Sequence, residues 1–208
     1  MNVYHFGDSS AENIIIQAID NQSLPSIDNE VRILHELTDF PFCLMAVTVD
    51  DWFIDLSPCK APAVFGNNTV GDGASNTLSD ILDLCSDKSR NYYLGGYSLS
   101  GLFALWSAYQ TDVFKGVAAA SPSMWFPGFT DYMENHDIGC NTVYLSIGDR
   151  EGKTKNTVMA TVDECIRKAH DLLIMQGVEC ILEYNRGNHF ADVEGRCARA
   201  FAWVLEKA

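Results

Sequence analysis

The chain has 208 residues and 47% of them are hydrophobic, which is enough to bury one sizeable core. We therefore expect a single domain over residues 1–208. The formal net charge of −14 makes nucleic acid and anionic membranes unfavourable partners, because both would be repelled.

Strand-like and helix-like stretches alternate along the chain. Apolar runs predict strands at 13–19, 42–49, 91–97, 115–120, 142–148 and 178–184. Amphipathic or apolar stretches between them predict helices at 28–38, 74–86, 99–110, 155–176 and 191–206. This alternation predicts the α/β class, with a mostly parallel sheet covered by helices on both faces. The proline- and glycine-containing segment 55–72 is predicted to be a long loop, and long loops at this edge of a sheet tend to carry function.

A serine lies at the predicted turn between the third strand and the third helix. The sequence Gly-Tyr-Ser-Leu-Ser at 96–100 is close to Gly-x-Ser-x-Gly, the elbow that displays the nucleophile in α/β-hydrolases. Small residues flank that serine because strand and helix backbones approach closely there. Gly96 satisfies the pattern, whereas Ser100 departs from it and Gly101 follows one position too late. The turn alone is compatible with a catalytic serine and with a glycine-rich turn that has no chemistry.

Two later loops supply the residue types that a serine nucleophile needs. The strand at 142–148 runs into a loop with Asp149 and Glu151, and the strand at 178–184 runs into a loop with His189. Carboxyl ends of parallel strands lie at one edge of a sheet, so Ser98, one acid and His189 can converge there. Nucleophile, acid and histidine also follow one another in the chain order of α/β-hydrolases. The spacing alone does not decide whether Asp149 or Glu151 is the catalytic acid.

Each candidate has a defined chemical task. A serine hydroxyl attacks a carbonyl only when a base such as neutral imidazole removes its proton, and the acid orients that imidazole. Two backbone N–H groups must receive the charge that develops on the substrate oxygen. We expect one from Leu99, directly after the nucleophile, and the other from Asn21 or Gln22, after the strand at 13–19.

Three segments resemble the esterase family that includes esterase D and the enterochelin esterases. They are Gly-Gly-Tyr-Ser-Leu-Ser-Gly-Leu-Phe-Ala-Leu at 95–105, Ala-Ser-Pro-Ser-Met-Trp-Phe at 120–126 and Gly-Asp-Arg-Glu at 148–151. The resemblance covers about residues 90–206, and the amino-terminal part matches only in outline. It implies an α/β-hydrolase fold and hydrolysis of a carboxylic ester by a serine nucleophile, without a metal or an organic cofactor.

The resemblance also bears on the third catalytic residue and on the start of the fold. Glu151 matches the family acid, which falls three residues after the glycine that ends the strand, although some members work with a serine–histidine pair alone. The first strong strand begins near residue 13, so the antiparallel hairpin that usually opens this fold should be missing or reduced to Val3–Phe6.

The surroundings of the site suggest an open pocket. Only residues 121–141 separate the strands at 115–120 and 142–148, so we expect no large lid. Trp125 and Phe126 follow one strand and Trp52 follows another, and these aromatic residues are candidates for the walls of a substrate pocket. Ordinary packing of an aromatic residue beneath a loop explains each position equally well.

Several features place the protein in a reducing compartment. The amino terminus lacks a basic region followed by an apolar core, and no apolar run approaches the length of a membrane span. Seven cysteines, an odd number with no Cys-x-x-Cys pair, favour reduced thiols over a disulfide framework. No histidine or cysteine spacing matches a zinc site. These features predict a cytoplasmic location and no metal.

The sequence therefore predicts a cytoplasmic serine hydrolase that cleaves a small-molecule ester through an acyl-enzyme. In this prediction Ser98 attacks, His189 carries the proton and Glu151 orients His189. Two alternatives stay open. One is a non-catalytic protein of the same fold that binds a ligand or a partner, which Ser100 and the short amino terminus favour. The other is an acyltransferase, thioesterase or peptidase with the same three residues, because acceptor choice depends on pocket shape and water access.

Overall fold

The computed structural model describes residues 1–62, 64 and 70–208. Within these residues seven strands form one sheet: β1 (Asn2–Gly7), β2 (Asn13–Ile19), β3 (Phe42–Thr48), β4 (Asn91–Tyr97), β5 (Phe114–Ala120), β6 (Thr142–Gly148) and β7 (Glu179–Asn185). Their order across the sheet is β1-β3-β2-β4-β5-β6-β7. All neighbouring strands are parallel except β1, which pairs antiparallel with β3. The predicted mostly parallel sheet is confirmed.

Helices cover both faces of this sheet, as predicted. The helices are α1 (Ile27–Leu37), α2 (Trp52–Asp55), α3 (Ala74–Leu84), α4 (Leu99–Ser107), α5 (Phe129–Glu134), α6 (Val162–Met175) and α7 (Val193–Lys207). One core cluster joins α1 and α7 to one face of the sheet, and a larger cluster joins α3, α4, α5 and α6 to the other. The strand β2 contributes to both clusters, because its side chains alternate between the two faces of the sheet. Ile14 and Ile16 belong to the larger cluster, and Ile15 and Ile19 belong to the cluster with α1 and α7.

A single antiparallel edge strand, β1, precedes the parallel strands in the described residues. β1 is longer than the predicted Val3–Phe6, and it pairs with β3 rather than with β2, the next strand in the chain. Most of its residues are exposed, so it lacks the buried apolar run that marked the other strands in the sequence. The segment between β5 and β6 contains the short α5 and no large lid.

One predicted helix begins later than its composition indicated. The helix predicted at 155–176 starts at Val162, after a short 3₁₀ turn at Met159–Thr161. The reason lies in Asn156, whose side-chain oxygen accepts from the N–H groups of Val158 and Met159 at 3.0 and 3.1 Å. Asparagine competes with the helix for these backbone donors and so fixes a turn instead.

The segment between α2 and α3 is largely irregular. Its residues 63 and 65–69, which include part of the predicted loop 55–72, lie outside the described residues. Ala61 and Val70 form an isolated antiparallel bridge at its base. Asn156 reaches across to this segment and donates from Nδ2 to the Val64 carbonyl at 2.6 Å. Among the residues described, no helix is long and apolar enough to span a bilayer.

A buried carboxyl group lies between α1, α7 and the sheet. Glu30 on α1 is 2% exposed, and Gln17 on β2 donates to its Oε2 from Nε2 at 3.3 Å. Cys197 on α7 completes the cluster, with its sulfur 3.9 Å from the same Gln17 nitrogen. Burial raises the pKa of Glu30 to about 8, because a charged carboxylate loses its hydration there. Glu30 is therefore protonated in the folded protein at neutral pH.

This protonation predicts a pH-dependent stability contribution. The folded state binds the Glu30 proton up to about pH 8, whereas the unfolded chain releases it near its ordinary value of 4.5. The contribution of Glu30 is therefore fully present below about pH 4.5 and is lost as pH rises towards 8. Replacing Glu30 by glutamine removes this dependence. We expect the variant to gain roughly 2–4 kcal/mol relative to wild type between pH 5 and pH 8.

Urea unfolding of both proteins at several pH values measures this gain. Glu36→Gln, which makes the same change at an exposed position of α1, is the matched control. A difference between wild type and Glu30→Gln that stays constant with pH would contradict the prediction.

Candidate active site

Ser98 occupies a strained turn between β4 and α4. Its backbone angles are φ 59° and ψ −120°, which residues with a side chain rarely adopt. The turn is held by the sheet, since the Ser98 N–H donates to the Ala120 carbonyl at 3.1 Å at the end of β5. This geometry directs the hydroxyl away from the core and over the carboxyl edge of the sheet. Such strain persists where the surrounding structure enforces it, often at functional sites.

The structure explains why Ser100 can stand in place of the last glycine of the Gly-x-Ser-x-Gly pattern. Ser100 is fully buried, and its hydroxyl donates to the Ala18 carbonyl of β2 at 2.7 Å. Space for this side chain comes from Gly96, where an added Cβ would overlap Ser100 Oγ and lie 2.7 Å from Ser100 Cβ. Gly101 allows the backbone of α4 to approach the end of β4 closely, because a Cβ on Gly101 would lie 2.9 Å from the Gly96 carbonyl oxygen. The shifted glycine and the serine thus fit the elbow together.

Gly96→Ala should destabilise the protein by about 1–3 kcal/mol, because the new methyl group meets the buried Ser100 side chain. In the double variant Gly96→Ala/Ser100→Gly that overlap is absent, and we expect its loss of stability to be smaller than the sum of the losses in the two single variants. Denaturant unfolding of the four proteins of this mutant cycle gives the coupling between the two positions. Additive losses would show that the two side chains do not compete for space.

Ser98, His189 and Glu151 form a continuous hydrogen-bonded chain. His189 Nε2 lies 3.0 Å from Ser98 Oγ, and His189 Nδ1 lies 2.7 Å from Glu151 Oε2. Ser98 follows β4, Glu151 follows β6 and His189 follows β7, so all three are at the carboxyl edge of the sheet. The His189 side chain is 24% exposed and that of Glu151 only 4%. The His189 imidazole therefore lies between the buried Glu151 carboxylate and the accessible Ser98 hydroxyl and bonds to both.

Both oxygens of Glu151 are held. While Oε2 faces His189, Oε1 accepts from the Gly148 N–H at 2.7 Å and from the Ser121 hydroxyl at 2.9 Å. Burial raises the pKa of Glu151, but the hydrogen bond and charge of His189 and the bonds from Gly148 and Ser121 outweigh it. The net result is a pKa below the usual value, so Glu151 is ionised at neutral pH.

Asp149, the other acid that the spacing left open, has a different partner. Its Oδ1 accepts from the Gly187 N–H at 2.8 Å, which ties the loop after β6 to the loop after β7. Gly187 has φ 116°, a conformation that favours glycine, just before the segment that carries His189. Asp149 therefore supports the loop of His189 without contacting its ring.

Arg196 on α7 is a fully buried cation beneath these residues, and it was not among the residues predicted from the sequence. Its Nη1 lies 2.9 Å from Glu151 Oε1 and also donates to the hydroxyls of Tyr97 and Ser121 at 2.9 and 3.0 Å. Its Nη2 donates to the Asn188 carbonyl at 3.1 Å, directly before His189. One guanidinium thus compensates the charge of Glu151 and anchors the backbone next to the imidazole.

Tyr97 adds a second anchor for the histidine. Its hydroxyl, which accepts from Arg196, donates to the His189 carbonyl at 2.7 Å. Burial raises the pKa of Tyr97 to about 12, so the hydroxyl stays protonated and able to donate. The position of His189 is therefore fixed through its ring and through its backbone.

The hydroxyl of Ser98 opens into a cavity of about 300 Å³. The residues that line it are mostly aromatic or aliphatic: Trp52, Phe53, Ser98, Leu99, Ser123, Trp125, Met159, His189 and Phe190. Of the candidates for pocket walls, Trp52 and Trp125 lie in this lining, whereas Phe126 is 3% exposed and belongs to the core. Phe53, Met159 and Phe190 also line the cavity and were not among the residues predicted from the sequence.

The candidates for the oxyanion donors differ in position. Leu99 lines the cavity and is the first residue of α4, where a backbone N–H has no acceptor within the helix. Asn21 and Gln22 lie in the exposed turn after β2, and neither is part of the described cavity lining. The second donor therefore stays a prediction. No group of three or more potential metal ligands occurs among the described residues.

The sheet order, the strained serine turn and the site at the carboxyl edge define the α/β-hydrolase fold. Comparison with solved structures agrees. An IroE-like serine hydrolase from Shewanella oneidensis superimposes with a TM-score of 0.78 at 15% identity, over 98% of this chain and 75% of that chain.

Two further solved structures are similar. Siderophore hydrolase EstA from Aspergillus nidulans gives a TM-score of 0.69 at 19% identity, over 97% of this chain and 86% of that one. The enterobactin esterase FES from Shigella flexneri gives 0.69 at 14% identity, and the chain spans 55% of its length. No protein-family model and no curated protein match the sequence. At these identities the likeness shows a shared fold and nothing more.

Proposed function

We propose that the protein is a serine hydrolase that cleaves a carboxylic ester of a small molecule. The observation that carries this proposal is the unbroken chain of hydrogen bonds from Ser98 through His189 to Glu151, which ends at an open cavity. A structural role does not require a strained serine, an imidazole and a buried, ionised carboxylate in this order. In acyl transfer each of the three has a defined task.

In the proposed reaction Ser98 Oγ attacks the ester carbonyl while His189 Nε2 takes its proton. Glu151 holds the ring so that Nε2 faces the serine, and it stabilises the imidazolium that forms. The Leu99 N–H and a donor from the turn after β2 bind the negative charge on the carbonyl oxygen. The carbon–oxygen bond then breaks, and the alcohol leaves with the proton from His189. Water repeats the sequence on the acyl-enzyme and releases the acid.

The cavity indicates what kind of ester fits. At about 300 Å³ it is at the small end of the range for ligand pockets. Its described lining contains no Lys, Arg, Asp or Glu, so a charged group placed there would lose hydration without gaining an ion-pair partner from these residue types. We therefore propose a compact, uncharged and largely apolar group next to the scissile bond. EstA and FES are named for siderophore and enterobactin hydrolysis, which are also reactions on small molecules.

Labelling with a fluorophosphonate probe, followed by peptide mapping, tests the proposal. Modification confined to Ser98, together with turnover of short p-nitrophenyl esters, would support it. A folded protein that is neither labelled nor active would instead be a binding protein of the same fold.

Turnover of p-nitrophenyl butyrate should exceed that of the anionic p-nitrophenyl hemisuccinate, since only the first presents an uncharged group. Faster product formation with an added alcohol or amine would indicate an acyltransferase.

A further inference from the structure

A second hydroxyl touches the nucleophile. Ser123 Oγ lies 3.2 Å from Ser98 Oγ, and Ser123 lines the same cavity although it is only 1% exposed. The backbone of Ser123 is also hydrogen-bonded to that of Ser98, because the Ser123 N–H donates to the Ser98 carbonyl at 3.0 Å. The Phe126 N–H in turn donates to the Ser123 carbonyl at 2.9 Å. Ser123 is therefore fixed beside the atom that the proposed function makes reactive.

The direction of the bond between the two hydroxyls follows from the charges around them. Glu151 is ionised and can only accept, so His189 Nδ1 carries a proton and donates to it. In the neutral imidazole, Nε2 then has no proton and accepts the hydroxyl proton of Ser98. Ser98 has no second proton to give. The proton between the two serines must therefore belong to Ser123, which donates to Ser98 Oγ.

We infer that Ser123 is a further catalytic residue, a hydroxyl donor to the nucleophilic oxygen. The inference rests on the proposed function. During attack, the O–H bond of Ser98 breaks towards His189 while its oxygen forms the bond to the acyl carbon, and this oxygen carries partial negative charge in between. During deacylation, the bond from acyl carbon to Ser98 Oγ breaks and the oxygen recovers the electron pair before it regains its proton from His189. A fixed donor stabilises the charge on Ser98 Oγ in both steps.

This role is distinct from that of an oxyanion donor. Oxyanion donors bind the oxygen of the substrate carbonyl, whereas Ser123 contacts the oxygen of the enzyme. Because phosphonylation also forms a bond to Ser98 Oγ, the effect of Ser123 should appear with a fluorophosphonate as well as with an ester.

Kinetics of Ser123→Ala test the inference. We expect kcat/KM for p-nitrophenyl butyrate to fall about tenfold to a hundredfold. The second-order rate constant for fluorophosphonate labelling should fall by a similar factor, while the final extent of labelling stays at one per chain. The final extent counts folded sites, so it separates a slow nucleophile from a misfolded protein. Ser107→Ala is the matched control, because it removes a buried hydroxyl that bonds to the Phe103 carbonyl within α4, outside the site.

Three results would overturn or redirect the inference. Unchanged rate constants in Ser123→Ala would overturn it and leave the proposed function standing. Equal losses in Ser107→Ala would also overturn it, because they would reflect destabilisation of the elbow in general. Failure of the wild-type protein to react at Ser98 at all would refute the proposed function itself, and the role of Ser123 with it.

Discussion

Ser98→Ala should lose at least about 10³-fold in kcat/KM for a short p-nitrophenyl ester, while the protein stays folded. The hydroxyl is the only group of Ser98 that would form the acyl-enzyme, and its one short contact to a base is the 3.0 Å bond to His189. Removing it costs little packing, because the side chain opens into the cavity. Steady-state kinetics, with circular dichroism and denaturant unfolding of the same samples, measure both parts of the prediction.

The variant Ser98→Gly distinguishes the effect of position 98 on activity from its effect on stability. Because φ at Ser98 is 59°, glycine relieves backbone strain of roughly 1–3 kcal/mol that serine and alanine both carry. Ser98→Gly should therefore be inactive and more stable than Ser98→Ala. Ser100→Ala is the control, since its hydroxyl binds the Ala18 carbonyl and is fully buried away from the cavity. Full activity in Ser98→Ala, or loss of activity in Ser100→Ala alone, would place the nucleophile elsewhere.

The elbow was predictable because its determinants are local. A strand, a serine after a glycine-rich segment and a helix follow one another directly. The strand β4 has the predicted bounds Asn91–Tyr97, and α4 begins at the predicted Leu99. The helix ends at Ser107, three residues before the predicted end. The convergence of Glu151 and His189 on Ser98 was also open to prediction, because a parallel sheet brings the carboxyl ends of its strands to one edge.

The surroundings of these residues depend on contacts that no local pattern reveals. Phe53 lies on the four-residue helix α2 and Met159 in a 3₁₀ turn, and neither element has enough turns to give an apolar period. The role of Ser123 depends on a turn after β5 in which Ser121 adopts φ 41°. A sequence shows which residues occur in such a turn but not the direction in which each side chain projects.

Arg196 left one signal that a closer inspection of the sequence would detect. Position 196 is in phase with Ala200 and Val204, four and eight residues later on the buried face of α7. A charged residue on that face requires a partner in the core, because an unpaired buried charge is very unfavourable. The partner, Glu151, is 45 positions away, and only the packing of α7 against the sheet brings the two together.

Arg196→Met should destabilise the protein by about 3–5 kcal/mol and reduce ester turnover strongly. Methionine fills much of the volume, but Glu151 then keeps its charge in the core with one charged neighbour fewer. The Asn188 carbonyl and the Tyr97 hydroxyl lose a donor at the same time, so the segment that holds His189 is less constrained. Denaturant unfolding measures the first effect and kcat for a p-nitrophenyl ester the second.

The same helix offers a matched control. Arg199, one turn later, is about one-third exposed and forms ion pairs with Glu183 and Asp192 at the surface. Arg199→Met should cost only about 0–1 kcal/mol, because surface ion pairs contribute little. The double variant Arg196→Met/Glu151→Gln removes both buried charges, so it should regain a large part of the lost stability while it stays slow in turnover. If Arg196→Met is as stable as Arg199→Met, or the double variant is the least stable of all, the buried pair does not act as an electrostatic unit.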